Sequence, residues 1–410
     1  MPVPPRSPAR ILLALNVGSS SVKFSLFRFS ERWTNEERLI SGSYEAIGER
    51  RPSITIRGPD GSLLEQRSET LRDHAAAIRD LLAWIRRHGF EGSIEVVGHR
   101  IVHGGRKYSA PVLVTPRILR DLGTLRSLDP DHVPIEIEAV RTVRAAYPSM
   151  PQVLCFDTYF HRTMTGAART YAVPREMTRR GIVRFGFHGL SCEYIVAELA
   201  RASGGKASPR RLIVAHLGGG SSMTAILRGQ SQDTTMGFSP TGGLVMGTRC
   251  GDLDPSVVLY IAQERWATVP ELRRTLNERS GLLGVSGISS DMRELEKRRA
   301  ADRRAAEAID LYCYQARKYL CALTAPLGGL DMVVFTGGIG ERSPYVRQQI
   351  CDGLVHLGIR LDPRRNRSAP GVISRKGSPV TVRVIPTDED RVIAQHSLRT
   401  WKGAGAGHAG

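Results

Sequence analysis

The sequence predicts an α/β protein built as two similarly organised halves. Strand-sized apolar runs alternate with helical stretches along the chain. A hairpin of one plan occurs twice, once near the start of each half. At 410 residues the chain is also longer than one hydrophobic core usually organises, so two domains are expected.

The first hairpin begins with the apolar run Ile11-Leu-Leu-Ala-Leu-Asn16. It turns through Val17-Gly-Ser-Ser-Ser21 and returns through the alternating segment Val22-Lys-Phe-Ser-Leu-Phe27. The second runs Leu212-Ile-Val-Ala-His216, turns through Leu217-Gly-Gly-Gly-Ser-Ser222 and returns through Met223-Thr-Ala-Ile-Leu227. Further strands are predicted at Ile94–Val97, Val153–Phe156, Met332–Phe335 and Val380–Ile385. Helices are predicted at Thr70–His88, Ile135–Ala146, Leu190–Ala202, Pro255–Ala262 and Ala300–Leu323. No short repeat of solenoid length recurs.

Composition removes several function classes. Apolar content of 41% with 24% charged residues is that of a folded globular chain. No apolar run approaches the ~20 residues that span a bilayer, so no membrane partner is expected. Met1–Arg10 has two Arg but no apolar core, unlike a secretory signal, and reads as a tail; Trp401–Gly410, rich in Gly and Ala, reads the same way. The six Cys are scattered, without C-x-x-C or zinc-ligand spacing, as in a reduced cytoplasmic protein with small buried thiols. The net charge of +18 could suit nucleic acid, but the basic residues are nearly all Arg, are spread along the chain and lack interleaved aromatics. A solvated basic surface that attracts small phosphorylated anions explains it as well, and no nucleic-acid partner is expected.

Three glycine-rich turns adjoin strands: Asn16–Lys23, Gly218–Ser222 and Thr336-Gly-Gly-Ile-Gly340-Glu341. Any one of them would ordinarily just reverse the chain. Three together suit a phosphate cradle, because converging backbone N–H groups bind phosphate and glycine lets the backbone come close. The P-loop pattern G-x-x-x-x-G-K-[ST] is missing, and Gly338-Ile-Gly340-Glu-Arg-Ser343 lacks the last glycine of the dinucleotide fingerprint. The signatures of serine hydrolases, zinc peptidases and protein kinases are absent too. Charged groups flanked by glycine sit on loops after strands: Arg100 and His103 in Gly98–Gly105, Asp157 after an apolar run, His188 in Gly186–Gly189, and Arg249 in Gly247–Asp252. A lone Arg or His is usually solvated or structural. The set together matches what phosphoryl transfer requires, namely positioning and neutralised charge on the transferring oxygens.

From about Ile11 to Ser397 the sequence resembles the acetate kinase family. The resemblance rests on Asn16-x-Gly18-Ser19-Ser20-Ser21-x-Lys23, Gly98-His-Arg-Ile-Val-His-Gly-Gly105, Phe156-Asp-Thr-Tyr-Phe-His161 and Gly186-Phe-His-Gly189. It continues through His216-x-Gly218-x-Gly220-x-Ser222, Gly247-Thr-Arg-Cys-Gly-Asp252, Ser286-Gly-Ile-Ser-Ser-Asp-Met-Arg293 and Phe335-Thr-Gly-Gly-Ile-Gly-Glu341. It implies two duplicated RNase H-like domains of the sugar kinase, Hsp70 and actin superfamily, each on a five-stranded mixed sheet, with nucleotide held between them. The domains would be 10–158, completed by a C-terminal helix at 388–402, and 159–387. It further implies reversible transfer of the ATP γ-phosphoryl group to acetate, a homodimer, a cytoplasmic location, and Mg2+ with Mn2+ as the alternative.

Roles are implied residue by residue. Asp157, His188, Arg249, Arg100 and His132 resemble the catalytic residues. Lys23 resembles an ATP contact. His216, Leu217, Gly218, Gly219 and Gly220, then Asp291, Met292 and Arg293, then Gly338, Ile339, Gly340, Glu341 and Arg342 resemble the nucleotide-binding segments. Arg100 resembles the carboxylate binder, with Val102, Phe187 and Pro240 around the acyl group. Asn16 and Glu389 resemble the metal-site residues. Gly219 stands where the family has Asn, Asp131 where it has Leu, and Arg342 where it has Asn. A kinase for propionate, butyrate or another short acid is therefore the first alternative. A relative that binds nucleotide without turnover, and a basic nucleic-acid binder, are more distant ones.

Overall fold

The computed structural model describes residues 10–30, 36–48, 52–204, 210–264 and 268–406. These fall into two compact units, one up to Tyr159 and from Asp388 onward, the other Phe160–Thr387.

The first unit holds β1 (Ile11–Val17), β2 (Ser21–Arg28), β3 (Glu37–Glu45), β4 (Ser53–Arg57), β5 (Leu63–Arg67), β6 (Ile94–Ile101), β7 (Val112–Leu113) and β8 (Gln152–Phe156). They form one sheet in the order β5-β4-β3-β2-β1-β6-β8-β7. Strands β1, β6 and β8 run parallel, and their neighbours outward are antiparallel. The second unit holds β9 (Arg211–Leu217), β10 (Ser221–Leu227), β11 (Gln230–Thr234), β12 (Met332–Thr336), β13 (Gly371–Val372) and β14 (Thr381–Val384). Their order is β11-β10-β9-β12-β14-β13, with β9, β12 and β14 parallel.

The two sheets share a five-strand kernel. Strands β3-β2-β1-β6-β8 correspond to β11-β10-β9-β12-β14, an antiparallel three-strand meander joined to two parallel strands. This is the duplicated RNase H-like plan. The expected five strands per sheet are the kernel alone: β4, β5 and β7 widen the first sheet to eight, and β13 widens the second to six.

Both faces of each kernel are covered. In the first unit Ile78, Leu81 and Trp84 of helix His74–Arg87, with Ala139 and Val143 of helix Val133–Ala146, pack on Leu13, Phe24 and Val97. Helix Glu389–Ala406 covers the other face, over β1, β6 and β8. Gly98 permits that approach, since a Cβ there would lie 2.1 Å from Ser397 Oγ and 2.8 Å from Ile393 Cγ2. In the second unit Ile309, Tyr312 and Leu320 of helix Arg303–Ala322 pack on Ile213, Ala215 and Phe335. Cys192, Ile195 and Leu199 of helix Gly189–Ala202 pack on Leu212, Val214 and Val334. Strands buried on both faces read as unbroken apolar runs rather than alternating ones, which is why β1, β9 and β12 were plain in the sequence.

The last helix corrects one expectation. It continues through Trp401 to Ala406, where a tail was expected; positions 407–410 and 1–9 lie outside the described residues. Extending a helix already nucleated by packing needs only local hydrogen bonds, and Gly403 is tolerated there. No helix among the described residues is long and apolar enough to cross a membrane. All six Cys are free thiols.

Candidate active site

In the first unit the candidate residues gather at the ends of the kernel strands and at the start of the last helix. Asn16 is the penultimate residue of β1 and lies opposite Lys23 on β2, so both side chains leave the same face of the sheet. Asn16 Nδ2 donates to Glu389 Oε2 at 2.9 Å, tying the strand end to the first residue of the final helix. Lys23 is exposed. Arg100 sits on β6 one residue before its end, and Asp157 follows β8. The Asp157 backbone N–H donates to Ile101 carbonyl O at 2.9 Å, continuing the parallel ladder. This places its carboxylate against Arg100, whose Nη2 donates to Oδ2 at 2.7 Å. Asp157 is fully buried. Arg100 Nε is also buried, and has no hydrogen-bond partner among the described residues. Burying a guanidinium donor unpaired is costly, and an anion reaching this atom would relieve that cost. Burial opposes the charge on Arg100, but Asp157 first and then Glu389 outweigh it and hold the guanidinium protonated.

His132 precedes helix Val133–Ala146, and its Nδ1 lies 2.9 Å from Asp129 Oδ1. Asp129, 3% exposed, fixes the ring and turns Nε2 away from itself. Val102, just beyond β6, is buried, and its N–H donates to both carboxyl oxygens of Glu136 at 3.0 and 3.1 Å.

In the second unit the turn between β9 and β10 is the organising feature. Ser221 Oγ closes it by donating to Gly218 carbonyl O at 3.1 Å and lies 3.0 Å from Tyr312 Oη. Gly337 (φ 75°) brings the third glycine turn against it, since a Cβ there would lie 2.7 Å from Leu217 carbonyl O. A Cβ on Gly218 would lie 3.8 Å from the Gly338 nitrogen, so the two turns present their backbones together. His188 takes up the left-handed conformation at φ 58°, ψ 28°, uncommon for a residue with a side chain, just ahead of helix Gly189–Ala202. Its Nδ1 lies 2.9 Å from Ser222 Oγ, and its ring stacks on His216 with centroids 4.1 Å apart. His216 Nδ1 lies 2.8 Å from Ser191 Oγ. Arg249 reaches the same turn from the loop before helix Pro255–Glu264, and its Nη1 donates to Pro240 carbonyl O at 3.3 Å. A Cβ placed on Gly220 would lie 3.3 Å from His188 Nε2 and 3.5 Å from Arg249 Nη1, so these two nitrogens flank one bare glycine.

The remaining candidates have mixed placements. Phe187 is buried, and its carbonyl meets His161 Nε2 at 2.9 Å. Asp291 caps helix Met292–Arg298 and pairs with Arg293 Nη2 at 2.6 Å, and the Arg293 bond holds its carboxyl below the usual range. Met292 is a core residue. Ser290 carbonyl O lies 3.3 Å from where a Gly247 Cβ would stand, which brings this segment to the Arg249 loop. Gly338, Ile339, Gly340 and Arg342 lie in the short helix Gly337–Arg342, while Glu341 turns inward and accepts from the Gly337 and Thr387 N–H groups. Glu341 thus braces the turn.

Sequence reasoning missed Asp129, Glu136 and Ser191. Glu136 had a signal, since Val133, Glu136, Val140 and Val143 share one helix face that is otherwise apolar.

The arrangement is similar to known proteins along its whole length. The chain is 44% identical over 394 residues to acetate kinase of Rhodopseudomonas palustris, covering 95% of this chain and 98% of that protein. It is 40% identical to acetate kinase 2 of Clostridium perfringens, over 94% of this chain and 98% of that one. The crystal structure of Porphyromonas gingivalis acetate kinase superposes with a TM-score of 0.83 at 35% identity, covering 96% of this chain and all of that one. A propionate kinase from Francisella tularensis superposes at 0.86 with 34% identity, over 95% and 99%. Residues 11–395 match the acetokinase family, and with its duplicated kernel and glycine turns the chain belongs to that family.

Proposed function

We propose that this protein transfers the γ-phosphoryl group of ATP to acetate, reversibly, giving acetyl phosphate and ADP. The observation that carries the reading is the convergence of His188 Nε2 and Arg249 Nη1 on Gly220, two donors poised over a backbone phosphate cradle. A carboxylate oxygen attacks the γ-phosphorus as the bond to the β,γ-bridging oxygen breaks, and ADP leaves with that electron pair. Acetate is already ionised at neutral pH, so no general base is required. Arg100, whose Nε has no hydrogen-bond partner among the described residues, receives the acceptor carboxylate, and Asp157 orients it. Arg249 and His188 meet the equatorial oxygens, and His132 is a further donor. Lys23, the segment His216–Gly220, Asp291, Met292, Arg293 and Gly338–Arg342 hold the nucleotide. Val102, Phe187 and Pro240 border the acyl group.

A divalent cation fits the Asn16–Glu389 pair. Both offer hard oxygen donors, and no cluster of three or more His, Cys, Asp or Glu ligands occurs among the described residues. Such a pair must leave most positions to phosphate oxygens and water, the habit of Mg2+ in nucleotide sites. When bound, the cation neutralises charge on the phosphates. A cytoplasmic homodimer completes the reading. Exposed Val257, Leu259, Tyr260 and Val269 on two neighbouring helices of the second unit support self-association.

Propionate or another short acid is the second reading, favoured by the likeness to a propionate kinase. Hydroxamate assays with acetate, propionate and butyrate separate the two. In the same assays Arg249→Ala should fold normally and lose about 10²–10³-fold in kcat. Near-native turnover in that variant would overturn the proposal.

A further inference from the structure

We propose that Glu136 is a positioning residue that must carry a proton for the acceptor carboxylate to bind at Arg100. This rests on Arg100 being the acceptor site.

Glu136 lies on the inward face of helix Val133–Ala146 and is 2% exposed. Among the described residues its two oxygens share a single donor, the Val102 N–H, at 3.0 and 3.1 Å. One shared neutral donor is thin support for a buried carboxylate, which usually needs two or three donors or a close cation to remain ionised. The charged groups acting on it are Arg100 from β6, Asp157 from beyond β8, and Asp129 in the turn before its own helix, where Asp129 is engaged with His132. Helices His74–Arg87 and Pro116–Gly123 pack on the Glu136 helix, and their buried side chains are apolar, among them Ile78 and Leu81 on one and Leu119 and Leu122 on the other. Strand β1 contributes the apolar run up to Leu15.

The charge balance then decides the protonation state. Arg100 is directly paired with Asp157, and Glu389 also acts on it. An ionised Glu136 would put a further negative charge in the same buried region, and a bound substrate carboxylate would add one more. Coulomb repulsion between carboxylates at low dielectric is severe. A neutral Glu136 removes one of those repulsions from an anion arriving at Arg100. Burial is the main cause that lifts the Glu136 carboxyl to about 8, with Asp129 and Asp157 adding to it and Arg100 and the Val102 N–H opposing. The proton is therefore in place at neutral pH and leaves in mildly alkaline solution. Because the same carboxyl group holds the Val102 backbone beside the acyl group, its charge state and the acceptor's seat are linked.

The test is the pH dependence of acetate binding from pH 6.5 to 9.5, where acetate itself is ionised throughout. In the wild type, KM for acetate should rise toward tenfold per pH unit above about 8, while KM for ATP stays level. Calorimetry in buffers of different ionisation enthalpy should find close to one proton taken up per acetate bound at pH 9. Glu136→Gln keeps the shape and has no proton to lose. It should bind acetate with a flat pH profile, about tenfold tighter than wild type at pH 9, and without proton uptake. Should this variant fail to fold, the wild-type proton count decides alone. Acetate binding without proton uptake, or a Gln variant that keeps the wild-type rise, overturns the role of Glu136. A wild type that binds no short acid at any pH, equally for Arg100→Ala, overturns the acceptor reading beneath it.

Discussion

His188 and His216 stack ring on ring, centroids 4.1 Å apart and planes 22° apart, and each is fixed through Nδ1 by a different serine. Ser222 holds His188 from the strand after the glycine turn, and Ser191 holds His216 from the helix that His188 itself introduces. The pair is thus locked by its own local sequence. His188 has its Nδ1 occupied and presents Nε2 over Gly220.

Removing that lock should weaken catalysis without unfolding the protein. Ser222→Ala deletes one side-chain hydrogen bond, worth about 1 kcal/mol. It should lower kcat about five- to tenfold, while KM for ATP changes little, because the backbone cradle is intact. Steady-state kinetics check this. A variant with wild-type kcat would show that Ser222 does not orient His188.

Adjacent glycines should respond differently. Neither Gly219 nor Gly220 has a positive φ, so a side chain acts there by space alone. A Cβ on Gly219 meets nothing within 4 Å, whereas one on Gly220 lies 3.3 Å from His188 Nε2. Gly219→Ala should retain both Tm and kcat. Gly220→Ala should push His188 or Arg249 by a few tenths of an ångström and lower kcat at least tenfold, since small misplacements at a reacting centre are expensive. Equal kinetics in the two variants would contradict this geometry.

How far these features could be read from sequence depended on the burial of each segment. Strands β1, β9 and β12 announced themselves because both faces are covered. Strand β11, Gln-Ser-Gln-Asp-Thr, has no apolar residue at all and exists because it pairs with β10. Strand β5 begins with two exposed leucines at the sheet edge, a pattern no periodicity separates from a loop. Among site residues, Arg100, Asp157, His188 and Arg249 stood out through flanking glycines and strand ends. Glu136 did not, because glutamate in a helix ordinarily marks the solvated face. Only the registry of Val133, Val140 and Val143 shows that it points inward.

Gly98 should prove structural. A methyl there would collide with Ser397 and Ile393 of the final helix. Overpacking of this kind costs about 1–3 kcal/mol, and Gly98→Ala should lower Tm by several degrees. Because the closest clash is with Ser397 Oγ, pairing it with Ser397→Gly should recover part of the loss. A double-mutant cycle by calorimetry would show that coupling, and strict additivity would argue against the contact.

Glu136 also sets a stability profile in the ligand-free protein. An unfolded glutamate ionises near 4.3, while the buried one holds its proton to about 8. Between these values the native chain binds a proton that the unfolded chain has released, so the unfolded state gains with rising pH. The wild type should therefore lose stability from about pH 4.5 to pH 8 on this account, with no further loss above. His99 works on the acid side: burial lowers its ring to about 4, Nε2 lies 2.8 Å from Gln152 Oε1, and the unfolded chain gains protons there below about 6.5. Its contribution is present above 6.5 and is lost as pH falls toward 4. Glu136→Gln removes only the alkaline component. Its Tm should match wild type near pH 4.5 and exceed it by a margin that grows up to pH 8 and then stays constant. Parallel Tm curves for the two proteins across that range would mean that the Glu136 carboxyl is already ionised in the native state.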